Sequence, residues 1–219
     1  MSPIRQRKYF GVIQAIPPTT RTRGMFGAPA PAPPKDPEPE PAHEYSNTQF
    51  QISGRPAEMM ARLAKQIDPK DLKAEEGASY GGSSSATGIE TEPHITARWG
   101  LHFQTPSKKL REAIAGFGPV TVTLKKTSLF SNDDADVLKV DVDSPDLHRL
   151  YKLLGRIVPV HTTHPVYHPH ATIAYLKPGR GKRYAGDRAL EGQKIRFDSI
   201  LFSGRKGYRE ILPLTSGKV

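Results

Sequence analysis

The sequence predicts an α+β domain in two similar halves, preceded by a tail that builds no core. Three observations predict it. Hydrophobic periods over residues 45–219 run in the order strand, helix, strand, helix, two strands, helix, strand, two strands, which gives an α+β architecture. A short motif then occurs twice, as His94-Ile95-Thr96-Ala97 and His170-Ala171-Thr172-Ile173, each time directly after a proline and at the start of an apolar-rich run. The composition also breaks near residue 44, after the stretch APAPAPPKDPEPEPA.

Residues 1–44 carry no hydrophobic period and read as an extended, polyproline-like spacer. Its front end holds Arg5, Arg7, Lys8, Arg21 and Arg23 beside an apolar patch at Tyr9, Phe10, Val12 and Ile13. A disordered tail is the simpler expectation, and a docking peptide for a virion component or another protein partner the sharper one. Residues 45–52 alternate, with Thr48, Phe50 and Ile52 on one face and Tyr45, Asn47, Gln49 and Gln51 on the other, as a half-buried first strand does. Met59, Met60, Leu63 and Ile67 recur at helical spacing over residues 56–67, with Pro56 in the first turn. Residues 75–92 are rich in Gly and Ser and predict a mobile loop, either a plain surface insertion or a lid, since it ends at His94.

From His94 the alternation is strong. Ile95, Ala97, Trp99, Leu101 and Phe103 are expected inward, and His94, Thr96, Arg98, Gly100 and His102 on the other face. Pro93 suits only the start of such a strand, because it has no N–H for the ladder. His102 lies about 26 Å beyond His94 on a straight strand and is set aside. Residues 106–117 predict a helix stopped by Gly118, and 120–125 and 138–142 a hairpin around the acidic turn 132–136. Asp133, Asp134 and Asp136 lack the spacing of a calcium loop and predict a solvated turn. Ser144-Pro145-Asp146 opens a helix whose Leu147, Leu150, Leu153, Leu154 and Ile157 form one stripe. Residues 195–202 and 208–214 make the last strand pair.

Composition bounds the function. The 219 residues include no cysteine, which excludes disulfides and thiolate chemistry and fits a cytoplasmic protein. No apolar run is long enough to span a membrane, and no secretory signal is expected. A net charge of +10 favours polyanionic partners such as nucleotides or nucleic acid.

On a strand, His94 and Thr96 share one face, as do His170 and Thr172. Two imidazoles and two hydroxyls at one cleft suit a phosphodiester: one ring takes a proton from the attacking oxygen, the other gives one to the leaving oxygen, and the hydroxyls hold the non-bridging oxygens. Arg98, on the His94 face, is a candidate to neutralise phosphate. The loop Lys177-Pro-Gly-Arg180-Gly-Lys182-Arg183-Tyr184 is a candidate arm along a phosphate backbone, with Lys182 and Tyr184 as contacts. His161, His164, His168 and His170 fall within ten residues. Without a neighbouring Cys, Asp or Glu, and with prolines imposing extended geometry, they are not read as a metal site, and no cofactor is expected.

These motifs, with their surroundings EPHITARWGL and HPHATIAYL, resemble the 2H phosphoesterase superfamily over roughly Tyr45 to the C-terminus. Within it, the chain is most similar to phage-encoded members that cleave cyclic nucleotide signals and so blunt the host's CBASS defence. The resemblance implies a monomer in which each half is an antiparallel sheet with outer helices, around a central cleft. It implies His94 and His170 as acid and base with Thr96 and Thr172 beside them, Tyr45 stacking on a base, and the turn at Arg205 and Lys206 reaching the ligand. The implied substrate is a cyclic di- or trinucleotide in the host cytoplasm. RNA 2',3'-cyclic phosphates and 2'-5' linkages are the alternatives, and a noncatalytic nucleotide-binding or virion-attached module is the alternative of another class.

Overall fold

The computed structural model describes residues 45–73, 87–102, 104–161, 166–204 and 207–215. The tail at 1–44, most of the Gly/Ser loop, Phe103, His164, Arg205 and Lys206 lie outside them. The elements are β1 (Tyr45–Gln51), α1 (Gly54–Lys65), β2 (His94–His102), α2 (Ser107–Ile114), β3 (Val120–Ser131), β4 (Asp136–Asp143), α3 (Pro145–Ile157), β5 (His170–Leu176), β6 (Lys194–Phe197), β7 (Ser199–Ser203) and β8 (Arg209–Pro213). The α+β class stands.

The eight strands form one antiparallel sheet in the order β6-β3-β4-β5-β2-β1-β7-β8. It divides into two four-stranded halves, each containing one motif strand, which meet at β5 and β2. That seam is held by one register pair, Ile95↔Ala171. Both residues are fully buried and belong to the same core as Met60 and Ala64 of α1 and Leu150 and Leu154 of α3. The motif side chains therefore point away from this core, on the other face of the sheet.

The expected strand at 195–202 is two strands broken at Asp198. Its first part pairs with β3 and its second with β1, at opposite flanks of the molecule's two halves. One short segment thus belongs to both. The strand expected at 120–125 continues to Ser131, past a register shift between Leu124 and Thr127. The hairpin turn is held by Asn132, whose Oδ1 accepts from the N–H of Asp134 at 2.9 Å and of Ala135 at 2.8 Å. Asp136 departs from the solvated turn expected of it: it is buried in β4 and accepts from Gly181 N–H at 2.7 Å. A Cβ at position 181 would lie 2.7 Å from Leu129 Cδ2 and 2.9 Å from Asp136 Cβ, so a larger residue would have to displace both to bring its N–H that close. The second helix ends at Ile114, and Gly116, at φ 83°, makes the reversal assigned to Gly118 from sequence.

Ser144 caps α3 as its sequence predicts. Its Oγ accepts from Leu147 N–H at 3.2 Å and donates to Thr121 C=O at 2.7 Å, tying the helix start to β3. Ser144→Ala is expected to lower the unfolding free energy by about 1–2 kcal/mol in urea titration, with an unchanged m-value.

Candidate active site

The two motifs are built alike. In each, an X-Pro dipeptide leads into the strand, and its backbone is pinned by the neighbouring strand. Ile52 N–H donates to Pro93 C=O at 2.8 Å, and Val142 N–H to Pro169 C=O at 3.1 Å. The histidine then turns back on its own lead-in. His94 Nδ1 is 2.8 Å from the carbonyl oxygen of Glu92, and His170 Nδ1 is 2.7 Å from that of His168. A carbonyl only accepts, so Nδ1 carries the hydrogen in both rings, and Nε2 of the neutral ring is left with its lone pair free for chemistry.

Around Ile95↔Ala171, the antiparallel register sets His94 opposite Thr172 and His170 opposite Thr96. The histidines are diagonal neighbours, a relation that separates residues by about 7–8 Å on a regular sheet. Continuing across the flanking strands gives two rows on one face: Asp141, His170, Thr96, Gln49 and Lys139, Thr172, His94, Gln51. All four predicted catalytic residues are brought together.

Directly after each threonine the strand bulges. The β1–β2 register shifts between Thr48↔Arg98 and Gln49↔Thr96, which leaves Ala97 as the extra residue. The β4–β5 register shifts between Leu138↔Ala174 and Lys139↔Thr172, which leaves Ile173. A bulge inserts one residue and reverses the alternation beyond it. Trp99, expected inward, is therefore 40 % exposed, and Tyr175 at the equivalent place in β5 is half-buried. Both line a cavity of about 700 Å³, together with Thr96, His170, Thr172 and Phe130. Strict alternation hid these aromatics. The consecutive apolar residues Ile173 and Ala174, and Gly100 after Trp99, were the signals that break it. Gly100, at φ 79°, brings the chain against the carbonyl of His161, where a Cβ does not fit.

The same bulge corrects Arg98. It lies not on the His94 face but buried, 6 % exposed, with its guanidinium carbon 3.9 Å from the centroid of the Tyr151 ring and packed on Gly155 of α3. Tyr151 stacks on Tyr167 at 4.3 Å, and Tyr167 Oη donates to Thr96 C=O at 2.7 Å. Burial, and then Tyr151, push the Tyr167 phenol far above its usual range, so it remains a donor. Arg98 thus supports the wall behind Thr96.

Tyr45 stacks on His161 at 5.0 Å and touches Trp99 at 5.5 Å, backing the cavity wall rather than lining it. His168 lines the cavity, whereas His94 lines neither it nor a second cavity of about 400 Å³ lined by Gln51, its partner in the β1–β2 register, with Leu201, Arg209 and Ile211. Arg209 pairs with Glu92 at 3.0 Å, anchoring the first lead-in to β8. The cationic loop is a clamp instead of an arm. Tyr184 Oη donates to Asp71 at 2.8 Å and accepts from Asp68 N–H, and Arg183 also pairs with Asp71, while Lys182 is exposed and lines neither cavity. Among the described residues, no three His, Asp or Glu side chains gather as metal ligands do.

Burial lowers the His170 pKa below the ordinary value of 6.5, against the bond to the His168 carbonyl, and the Lys139 ammonium and His94 add to the lowering. Sequence reading did not assign Lys139, Asp141, Gln49 or Gln51 to the site. Their alternation with apolar residues marked only a polar strand face.

Fold and site together define an α+β protein with mirrored His-x-Thr motifs at one seam. No protein-family model matches the chain, and no curated protein sequence is similar to it. Solved structures are. TT0787 of Thermus thermophilus is 15 % identical with a TM-score of 0.51, over 80 % of this chain and 100 % of that one. Kluyveromyces marxianus Usb1, solved with uridine monophosphate, is 13 % identical with a TM-score of 0.47, over 78 % and 97 %. A structure described as a phosphoesterase is 16 % identical with a TM-score of 0.41, over 77 % and 96 %. The likeness to TT0787 shows a shared fold.

The hydrogen bonds at Nδ1 predict the Nδ1–H tautomer for both neutral rings, read by long-range 1H–15N correlation. Dominant Nε2–H signals from His94 or His170 would contradict the geometry.

Proposed function

We propose that this chain is a phosphodiesterase of the 2H type that needs no metal. The observation that carries the reading is the seam: two imidazoles with tethered Nδ1 atoms stand diagonal to one another, each opposite the other's threonine. His170, whose pKa burial lowers, takes the proton of the attacking hydroxyl or water through Nε2. His94 gives a proton to the leaving oxygen. Thr96 and Thr172 hold the non-bridging oxygens, where charge develops in the transition state.

The substrate class follows from the walls. Trp99, Tyr175 and Phe130 offer faces and edges to a nucleobase. The cavity of about 700 Å³ beside His170, Thr96 and Thr172 gives room for more than one nucleoside. The motif surroundings favour a cyclic di- or trinucleotide and a phage counter-defence role over RNA ends or 2'-5' linkages. No helix among the described residues is long and apolar enough to cross a membrane.

Incubation of the protein with cyclic oligonucleotides, RNA 2',3'-cyclic phosphates and 2'-5' oligoadenylates, with products read by mass, is expected to show cleavage of the first that persists in excess EDTA. His94→Ala and His170→Ala are each expected to lower kcat by about 10²–10⁴ with the fold retained. Nucleotide binding that survives both changes, with no cleavage by the unaltered protein, would make it a binding module. The base must be deprotonated to act, so activity falls as pH drops through the His170 pKa. The acidic limb is expected below 6.5, and a profile flat from about pH 5 to 9 would count against the two-histidine mechanism.

A further inference from the structure

The two motifs differ in what stands beyond them. His94 and Thr96 face the neutral Gln51 and Gln49 of β1, whereas Thr172 and His170 face Lys139 and Asp141 of β4. Lys139 is 4 % exposed. A buried ammonium persists only where its donors and its charge are answered. Here Nζ donates to Ser128 Oγ at 2.6 Å and to Asp141 Oδ1, and Ser128 Oγ donates to the same carboxylate oxygen at 2.8 Å. The Phe130 ring covers another side of it, its centroid 4.1 Å from Nζ. Phe130 in turn stands edge-on to His170, 4.9 Å between centroids at 88°.

Ammonium, phenyl ring and imidazole therefore form one packed series that ends at the reacting face. Hydrocarbon of similar size would fill the same space without the desolvation cost of a charge. The described residues lining the larger cavity include no Lys, Arg, Asp or Glu. The positive charge nearest in the strand register to Thr172 is the one behind Phe130.

We propose that Lys139 is a positioning residue for the reaction assigned above: it fixes Phe130 against His170 and sets a cationic side chain behind the phosphoryl site, which keeps His170 the base of the pair. This rests on the phosphodiesterase reading for its catalytic part. The titratable groups facing His170 are Lys139 and Asp141 from β4, His94 from β2 and His168 from its own lead-in. Of these, Lys139 and Asp141 act in opposite directions, and both can be altered without touching the proton-transfer pair or the main-chain tether of His170.

The test is the titration of the His170 ring in the full chain by NMR, assigned by comparison with His170→Asn, alongside the pH profile of kcat. Lys139→Met is expected to raise the His170 midpoint by about half a unit or more and to lower kcat by about tenfold with little change in KM. Asp141→Asn is expected to move the midpoint the other way, and Lys139→Arg to restore it. Should Lys139→Met fail to fold, Asp141→Asn and Lys139→Arg carry the same comparison. A His170 midpoint that stays in place in the folded variants overturns the proposal. Because the titration needs no substrate, absence of cleavage by the unaltered protein would overturn the enzyme reading separately.

Discussion

Ile95 and Ala171 form the ladder pair that joins β2 to β5, and the placement of every candidate catalytic group follows from it. Both side chains are fully buried. A slip of one residue would turn one of the two His-x-Thr faces into the core, an exchange of apolar for polar burial that the register cannot tolerate. A slip of two would put histidine directly opposite histidine in one direction, or threonine opposite threonine in the other. Only the observed register gives each imidazole a hydroxyl across the seam and a partner imidazole on the diagonal. The core residue between His and Thr is thus as much a part of the site as either.

Beyond that pair the halves repeat one another in detail, from carbonyl tether to pinned proline to bulge to exposed aromatic. The repetition ends at the flanking strands. Glutamines border His94, while a buried lysine paired with a half-exposed aspartate borders His170. Equal backbones with unequal borders are what two chemically opposite tasks need, since an acid and a base drawn from one residue type differ only through their surroundings.

Much of this was legible in the sequence. The motifs, their prolines and the apolar periods located seven of the eight strands and all three helices, because period and punctuation are local signals. The bulges escaped the reading, since a single inserted residue marked only by Gly100 or by the adjacent apolar pair Ile173 and Ala174 breaks the alternation too briefly to outweigh it. That loss moved Arg98 from the cleft into the shelter of Tyr151 and hid Trp99 and Tyr175. The cationic loop misled for a different reason: its Arg183 and Tyr184 are held by Asp68 and Asp71, far earlier in the chain, and no local pattern records such a partner. Lys139 and Asp141 look in the sequence like any polar face, because burial of a charge is decided by tertiary neighbours.

The segment from Lys194 to Ser203 gives its first strand to one half and its second to the other, with Asp198 alone between them. Spreading the halves would require stripping a ladder from β3 or from β1, so hinging about the seam is opposed by backbone hydrogen bonds on the far side. The gap between the two imidazoles is accordingly a fixed gauge. The strapped sheet presents its two motif faces at a preset spacing instead of one that closes.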